Sequence, residues 1–176
     1  MPPATAADGT ERLWGENRAA VAYGAGVIIF RKAAHEDAPT LREIATAAYE
    51  GYVRRIGRPP APMTADYAQA VHDGHVWVAV EDSEIVAFII LVPQQGFLLL
   101  ENVAVQPAAQ RRGIGAQLLA LAEDQAQLLG LREIQLYTNE AMVENLAYYP
   151  RHGYIESSRA EQDGFRRVFF RKRLTR

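Results

Sequence analysis

Apolar positions along this chain change period several times, and each change marks an element. Met1 to about Gly26 is rich in Ala, Gly, Thr and Pro and keeps no period, which predicts a poorly ordered leader. Val27 to Ala33 (VIIFRKA) reads as a first strand. Leu41, Ile44, Ala45 and Ala48 then recur at helical spacing, with Asp37 as a plausible N-cap and Pro39 in the first turn. Three prolines between Arg54 and Pro62 forbid a helix there and predict a loop carrying Arg54, Arg55 and Arg58, bracketed by Tyr49, Tyr52 and Tyr67. Thr64 to Val71 predicts a short second helix. His75–Glu81 and Glu84–Pro93 read as a hairpin across a polar turn.

Phe97 to Val105 is an almost unbroken apolar run, as a central strand covered on both faces requires. Gly113 to Leu129 is helical, with Ile114, Leu118, Leu121, Ala122 and Leu128 on one side and Gly130 placed to stop it. Arg132–Thr138 is the next strand, so Phe97 to Thr138 forms a βαβ unit with parallel strands. Asn139 can cap a helix from Glu140 to Tyr149, stopped at Gly153. Two strands, Tyr154–Ser157 and Phe165–Leu174, close the chain around Asp163-Gly164.

A length of 176 residues with 49% hydrophobic content bounds this to one packed domain, read as 27–176 behind the 1–26 leader. The net charge of −2 lacks the basic footprint of a nucleic-acid binder. The absence of cysteine excludes disulfides, thiolate metal sites and a cysteine nucleophile, and is compatible with a cytoplasmic location. The apolar run Ala19–Phe30 is too short to span a bilayer, and the acidic residues Asp8, Glu11 and Glu16 before it suit no signal peptide. Neither a membrane nor a nucleic acid is expected as partner.

The strand-to-helix junction carries the first chemistry. The opening N–H groups of a helix lack intrahelical partners and sit at the positive end of its dipole, so they hold anions. Gly113 and Gly115 keep side chains out of the way, while Arg111 and Arg112 offer charged donors. The expected ligand is the pyrophosphate of a large cofactor. A P-loop would need Gly-Lys-Ser/Thr, and a dinucleotide fold would put its glycine turn after the first strand of a parallel series. Neither fits.

Gln110-Arg111-Arg112-Gly113-Ile114-Gly115-Ala116, the strand Glu101-Asn102-Val103-Ala104-Val105 before it, and Asn145-Leu146-Ala147-Tyr148-Tyr149 with Gly153-Tyr154 after it occur in one order on matching elements. Together they resemble the GNAT superfamily of acyl-CoA-dependent N-acetyltransferases over about Val27 to Leu174. The resemblance implies an α/β (α+β) fold with a mixed, largely antiparallel sheet, a central parallel βαβ unit and helices on both faces. It implies acetyl-CoA as co-substrate, an amine acceptor on a small molecule or peptide, and direct transfer in a ternary complex. A non-catalytic acyl-CoA-binding module on the same fold is the alternative. Family members commonly form homodimers, although nothing in this sequence marks an interface.

The same resemblance distributes roles. Gln110 to Ala116 would cradle the pyrophosphate, and the backbone of Val103, Ala104 and Val105 would line the pantetheine. Asn145 would hold the cofactor, four residues before Tyr149, the general acid. Tyr148 competes for that role and otherwise suits a core position. Pro150 is expected to kink or stop the helix beside Tyr149.

Glu101 stands where some members place a base, with a structural or exposed role as the alternative. Strand alternation expects only one of Glu101 and Asn102 to face the cleft. His72 and His75 lack a third ligand, so no metal site is expected, and His152 is read as a surface residue. The C-terminal bases, Arg166, Arg167, Arg171, Lys172, Arg173 and Arg176, are read as a solvated strand face. Arg54, Arg55 and Arg58 are the expected place for an acidic acceptor, with a solvated connector as the alternative.

Overall fold

In a computed structural model, the described residues are 4–5, 11–15, 18–23 and 26–175, with side chains described over 27–175. One sheet runs through the molecule. Its strands are β1 (Ala4–Thr5), β2 (Glu11–Gly15), β3 (Arg18–Tyr23), β4 (Gly26–Lys32), β5 (Val76–Glu81), β6 (Glu84–Pro93), β7 (Leu98–Val105), β8 (Glu133–Asn139), β9 (Ile155–Gln162) and β10 (Phe165–Arg173). The strands lie in the order β1 to β8, then β10, then β9. Among the described residues only β7 and β8 pair in parallel, as the βαβ reading requires. The helices are α1 (Ala38–Tyr49), α2 (Val53–Ile56), α3 (Tyr67–His72), α4 (Ile114–Leu128) and α5 (Val143–Arg151).

Strand alternation sorts the core into two layers. In β5, Val76 and Val78 pack with Leu41 and Ile44 of α1 and with Tyr67 of α3. Trp77 and Ala79 pack on the other face, with Leu118, Leu121 and Ala122 of α4 and Tyr149 of α5. Helices therefore cover both faces of the β4–β10 body. Each fully buried leucine here contributes about 1.5–3 kcal/mol of transfer free energy.

Several element boundaries differ from expectation. Asp37 precedes α1 but does not cap it. Its carboxylate instead accepts from the Ala34 N–H at 2.7 Å and from Arg31 at 2.7 Å. α2 carries Arg54 and Arg55 into a helical turn, and the loop proper begins at Gly57, which is left-handed. α5 starts at Val143 rather than Glu140, because Asn139 Oδ1 accepts from the Ala141 N–H and holds a turn first. Pro150 does not end α5. It lies in the last turn, where it removes a single N–H, and Gly153 at φ +82 completes the stop. β9 is longer than expected and exposed throughout, so its polar sequence gave no pattern, and pairing with β10 builds it.

Part of the expected 1–26 leader, residues 1–3, 6–10, 16–17 and 24–25, lies outside the described residues. The described backbone there pairs strand by strand, with Ala20 opposite Ile29 of β4.

Candidate functional site

The parallel pairing of β7 with β8 covers Leu98, Leu99 and Leu100 opposite Ile134, Gln135 and Leu136, and stops there. Beyond it, Glu101 to Val105 keep β6 on one side only. At the same point the register against β6 slips: Leu91 faces Leu100 and Ile90 faces Asn102. Glu101 is the extra residue of a β-bulge. The bulge resets the alternation. Leu98 and Leu100 face the α4 layer, and so do Val103 and Val105 after it, while Ala104 joins the α1 layer. The expectation that only one of Glu101 and Asn102 can face the cleft is thereby corrected. Both line one cavity of about 370 Å³.

Asn102 is fixed in place. Its Nδ2 donates to the Tyr67 hydroxyl at 3.1 Å, which donates in turn to the Pro62 carbonyl at 2.5 Å. The Tyr49 hydroxyl lies 2.9 Å from Asn102 Oδ1 and 3.0 Å from the Val103 carbonyl. One hydroxyl proton serves either acceptor, so α1 and α3 together hold the bulged strand. Glu101, by contrast, is exposed, and its carboxylate makes no hydrogen bond or ion pair among the described residues.

The opposite wall comes from α5. Asn145 and Tyr149, four residues apart, both reach the cavity as their spacing predicts. Asn145 Nδ2 donates to Thr138 Oγ1 at 3.1 Å, which ties α5 to β8. Tyr149 is buried between the rings of Tyr148, Tyr154 and Phe170. Burial first, then the neighbouring Tyr148 and Tyr52, push its phenol well above the usual value, so it stays protonated. Tyr148 turns the other way, toward α4. A Cβ built on Gly115 would lie 2.9 Å from the Tyr148 hydroxyl. The room at Gly115, expected to admit a phosphate, admits this tyrosine.

The cradle forms at the start of α4. Arg111 at φ +62 and Gly113 at φ +79 are both left-handed, and Gly113 takes that conformation without a steric penalty. The first backbone bond into the helix runs from the Gln117 N–H to the Gly113 carbonyl. Among the described residues, the N–H groups of Ile114, Gly115 and Ala116 have no backbone partner. They fit a phosphate-bearing ligand by backbone alone, since the Ile114 side chain is buried in the core. Gln110 Nε2 donates to the Val105 carbonyl at 3.1 Å and joins the cradle to β7. Arg112 is held in a two-pronged pair with Glu81 at the end of β5, at 2.9 and 2.5 Å. Arg111 is exposed and has no hydrogen bond or ion pair among the described residues.

The expected anion-receiving arginines stand elsewhere. Arg55 pairs with Glu144 at 2.8 Å, and Arg58 stacks 3.6 Å from the centroid of Phe165. None of Arg54, Arg55 and Arg58 lines the cavity. The arginine that does is Arg167. Reading it as part of a solvated strand face was wrong: Arg166, Arg171 and Arg173 are exposed, whereas Arg167 is buried. His152 packs 4.4 Å from the Tyr148 ring and is half-buried, with burial and then Lys172 lowering its pKa. Among the described residues no three His, Cys, Asp or Glu side chains group to hold a metal, and no helix is long and apolar enough to cross a membrane.

Comparison with known proteins bears on this geometry directly. No curated protein sequence matches the chain significantly. Solved structures do. The PaiA N-acetyltransferase of Thermoplasma acidophilum, in complex with coenzyme A, is 21% identical with a TM-score of 0.69, over 83% of this chain and 98% of that one. The ribosomal-protein-S18-alanine N-acetyltransferase of Escherichia coli is 20% identical with a TM-score of 0.67, over 85% and 95%. YncA of Salmonella typhimurium, solved with its cofactor acetyl-CoA, is 17% identical with a TM-score of 0.66, over 85% and 95%. At these identities the likeness establishes the shared fold. The model of the acetyltransferase (GNAT) family matches residues 38–154, from the start of α1 through the Tyr149 helix to Tyr154, and the chain belongs to that family.

Proposed function

We propose that this protein is an N-acetyltransferase that moves the acetyl group of acetyl-CoA to a primary amine of a small molecule or peptide, directly and within a ternary complex. The observation that carries the reading is that Glu101 of β7 and Tyr149 of α5 line one cavity, where β7 parts from β8. When bound, acetyl-CoA supplies the activated acyl group. The N–H groups of Ile114, Gly115 and Ala116 hold its pyrophosphate, with Arg111 beside them. Asn145 orients the cofactor from α5.

Amide formation moves two protons and one acyl group. The acceptor amine must attack in its neutral form, so its proton goes to Glu101, directly or through a water. The nitrogen then bonds the thioester carbon. Negative charge gathers on the carbonyl oxygen, and a backbone N–H on the unpaired side of β7, between Val103 and Val105, faces it. Such a donor is worth about 3 kcal/mol in acyl transfer. The C–S bond breaks, Tyr149, kept protonated by burial, gives its proton to the departing sulfur, and the nitrogen passes its second proton back to the phenolate, directly or through a water, leaving the neutral amide.

Release of free CoA thiol from acetyl-CoA, followed across a panel of amines, tests the proposal. Amine-dependent release supports it. Tight CoA binding with no release by any amine is the signature of the non-catalytic acyl-CoA-binding alternative.

A further inference from the structure

The cavity that Glu101 lines also holds a charge that the transfer chemistry does not use. Arg167 projects from β10 with its guanidinium 4.2 Å from the centroid of the Tyr137 ring. Its side chain is 9% exposed. Nη1 donates to Gln162 Oε1 at 2.7 Å and lies 3.4 Å from Asp163 Oδ2. The Asp163 side chain is 73% exposed, so solvent screens that pair. A guanidinium has five donors, and among the described residues the hydrogen bond and ion pair of Arg167 both leave from Nη1, which leaves Nη2 and Nε. A guanidinium that lines a cavity with donors to spare is a ready partner for an anion.

Two carboxylates line the same cavity. Asp66 is engaged as the cap of α3, accepting from the Gln69 N–H at 3.0 Å. Glu101 is unengaged and acts on Tyr137 electrostatically from the other side to Arg167 in sign. The cavity thus offers one planar cation and one free anion around a tyrosine, in about 370 Å³, near the lower end of the ~300–1,000 Å³ usual for small-molecule sites.

We propose that this cavity takes an amine that also carries a carboxylate, an amino acid or amino-acid-like acid, with its carboxylate on the Arg167 guanidinium and its amine toward Glu101. This deepens the transfer reading above and rests on it. A carboxylate meets the guanidinium fork with two parallel bonds. An ordinary peptide amino terminus has its nearby carboxyl tied up as an amide and leaves Arg167 unmet.

The test measures thiol release from acetyl-CoA with the proteinogenic amino acids, β-alanine and 4-aminobutyrate, each against its own carboxamide. At least one acid should exceed its amide in kcat/KM by about tenfold to a hundredfold, the range of one charge-assisted contact. Arg167→Met should erase that preference and Arg167→Lys should keep part of it, both binding CoA as the parent does by calorimetry. If Arg167→Met does not fold, Arg167→Lys carries the comparison, because lysine keeps the charge and loses the fork. Acids that are all used no better than their own amides, or a preference that survives Arg167→Met, overturn the proposal. If no amine is acetylated, the transfer reading has failed separately. The subsite is then judged by calorimetry of the same acids into the CoA complex: binding lost in Arg167→Met upholds it, and no binding to the parent overturns it.

Discussion

The Tyr148 hydroxyl stands 2.9 Å from the position a Cβ on Gly115 would take. The first turn of α4, which presents the anion cradle, and the helix that presents Tyr149 are therefore in contact through a glycine and a phenol. The turn proposed to anchor the cofactor and the helix of the proposed proton donor share one joint.

Gly115→Ala should expose that joint. Alanine favours a helix over glycine by about 1 kcal/mol, but here the new methyl pushes on the Tyr148 hydroxyl. The single variant should lose about 1 kcal/mol of stability instead of gaining it. In Tyr148→Phe the nearest ring carbon would be 3.8 Å away, an ordinary contact, so adding Gly115→Ala to that variant should cost nothing. Urea denaturation of the four proteins in this cycle reads the coupling. Additive effects would mean the two residues do not meet.

Tyr149→Phe should lower turnover by about 10²–10⁴-fold, the usual contribution of a positioned acid, with CoA affinity nearly unchanged. Steady-state thiol release and calorimetry separate the two. Turnover equal to that of the parent would remove Tyr149 from the mechanism.

Alkali should destabilise the fold through its buried phenols. Burial raises Tyr49, Tyr67, Tyr149 and Tyr154 above the ordinary 10.0. Below that value both folded and unfolded chains keep the phenolic protons, and the phenols add no pH dependence. Above it the unfolded chain ionises while the folded chain still holds its protons, so stability falls as pH rises past 10. Tyr149→Phe removes one such group and should flatten the decline. A melting temperature that is level from pH 9 to 11 contradicts this account.

Arg111 and Arg112 should differ in their effect on CoA. Arg112 is held by Glu81, whereas Arg111 is left unpaired at the cradle. Arg111→Ala should weaken CoA severalfold more than Arg112→Ala, measured by calorimetry at low salt where surface charge is least screened. Glu81→Gln releases Arg112 and should not weaken CoA.

What local patterning could determine is considerable. The strand, the left-handed Gly113, the helix behind it and Gly130 after that helix are set by residues within a few positions of each other. The crossover rule makes the flanking strands parallel without further information. Asn145 and Tyr149 share a face because helical geometry puts positions four apart together. That much is enough to set the strand-to-helix turn and the shared face of Asn145 and Tyr149.

Tertiary structure decided the rest. A bulge exists only relative to a partner strand, so nothing within Leu98–Val105 marks Glu101 as the residue without an opposite number; β6 does. The wrong expectation for Glu101 and Asn102 follows from applying regular alternation across it. Gly115 looked reserved for a phosphate until α5 brought Tyr148 onto it. Arg167 reads as solvated because it belongs to a run of basic residues that are mostly exposed, and it is buried through Tyr137 of β8 and Gln162 of β9, which the sheet order brings to either side. Helical and strand periods are local and legible in one chain, whereas the polar lining of the cavity depends on which strands lie side by side.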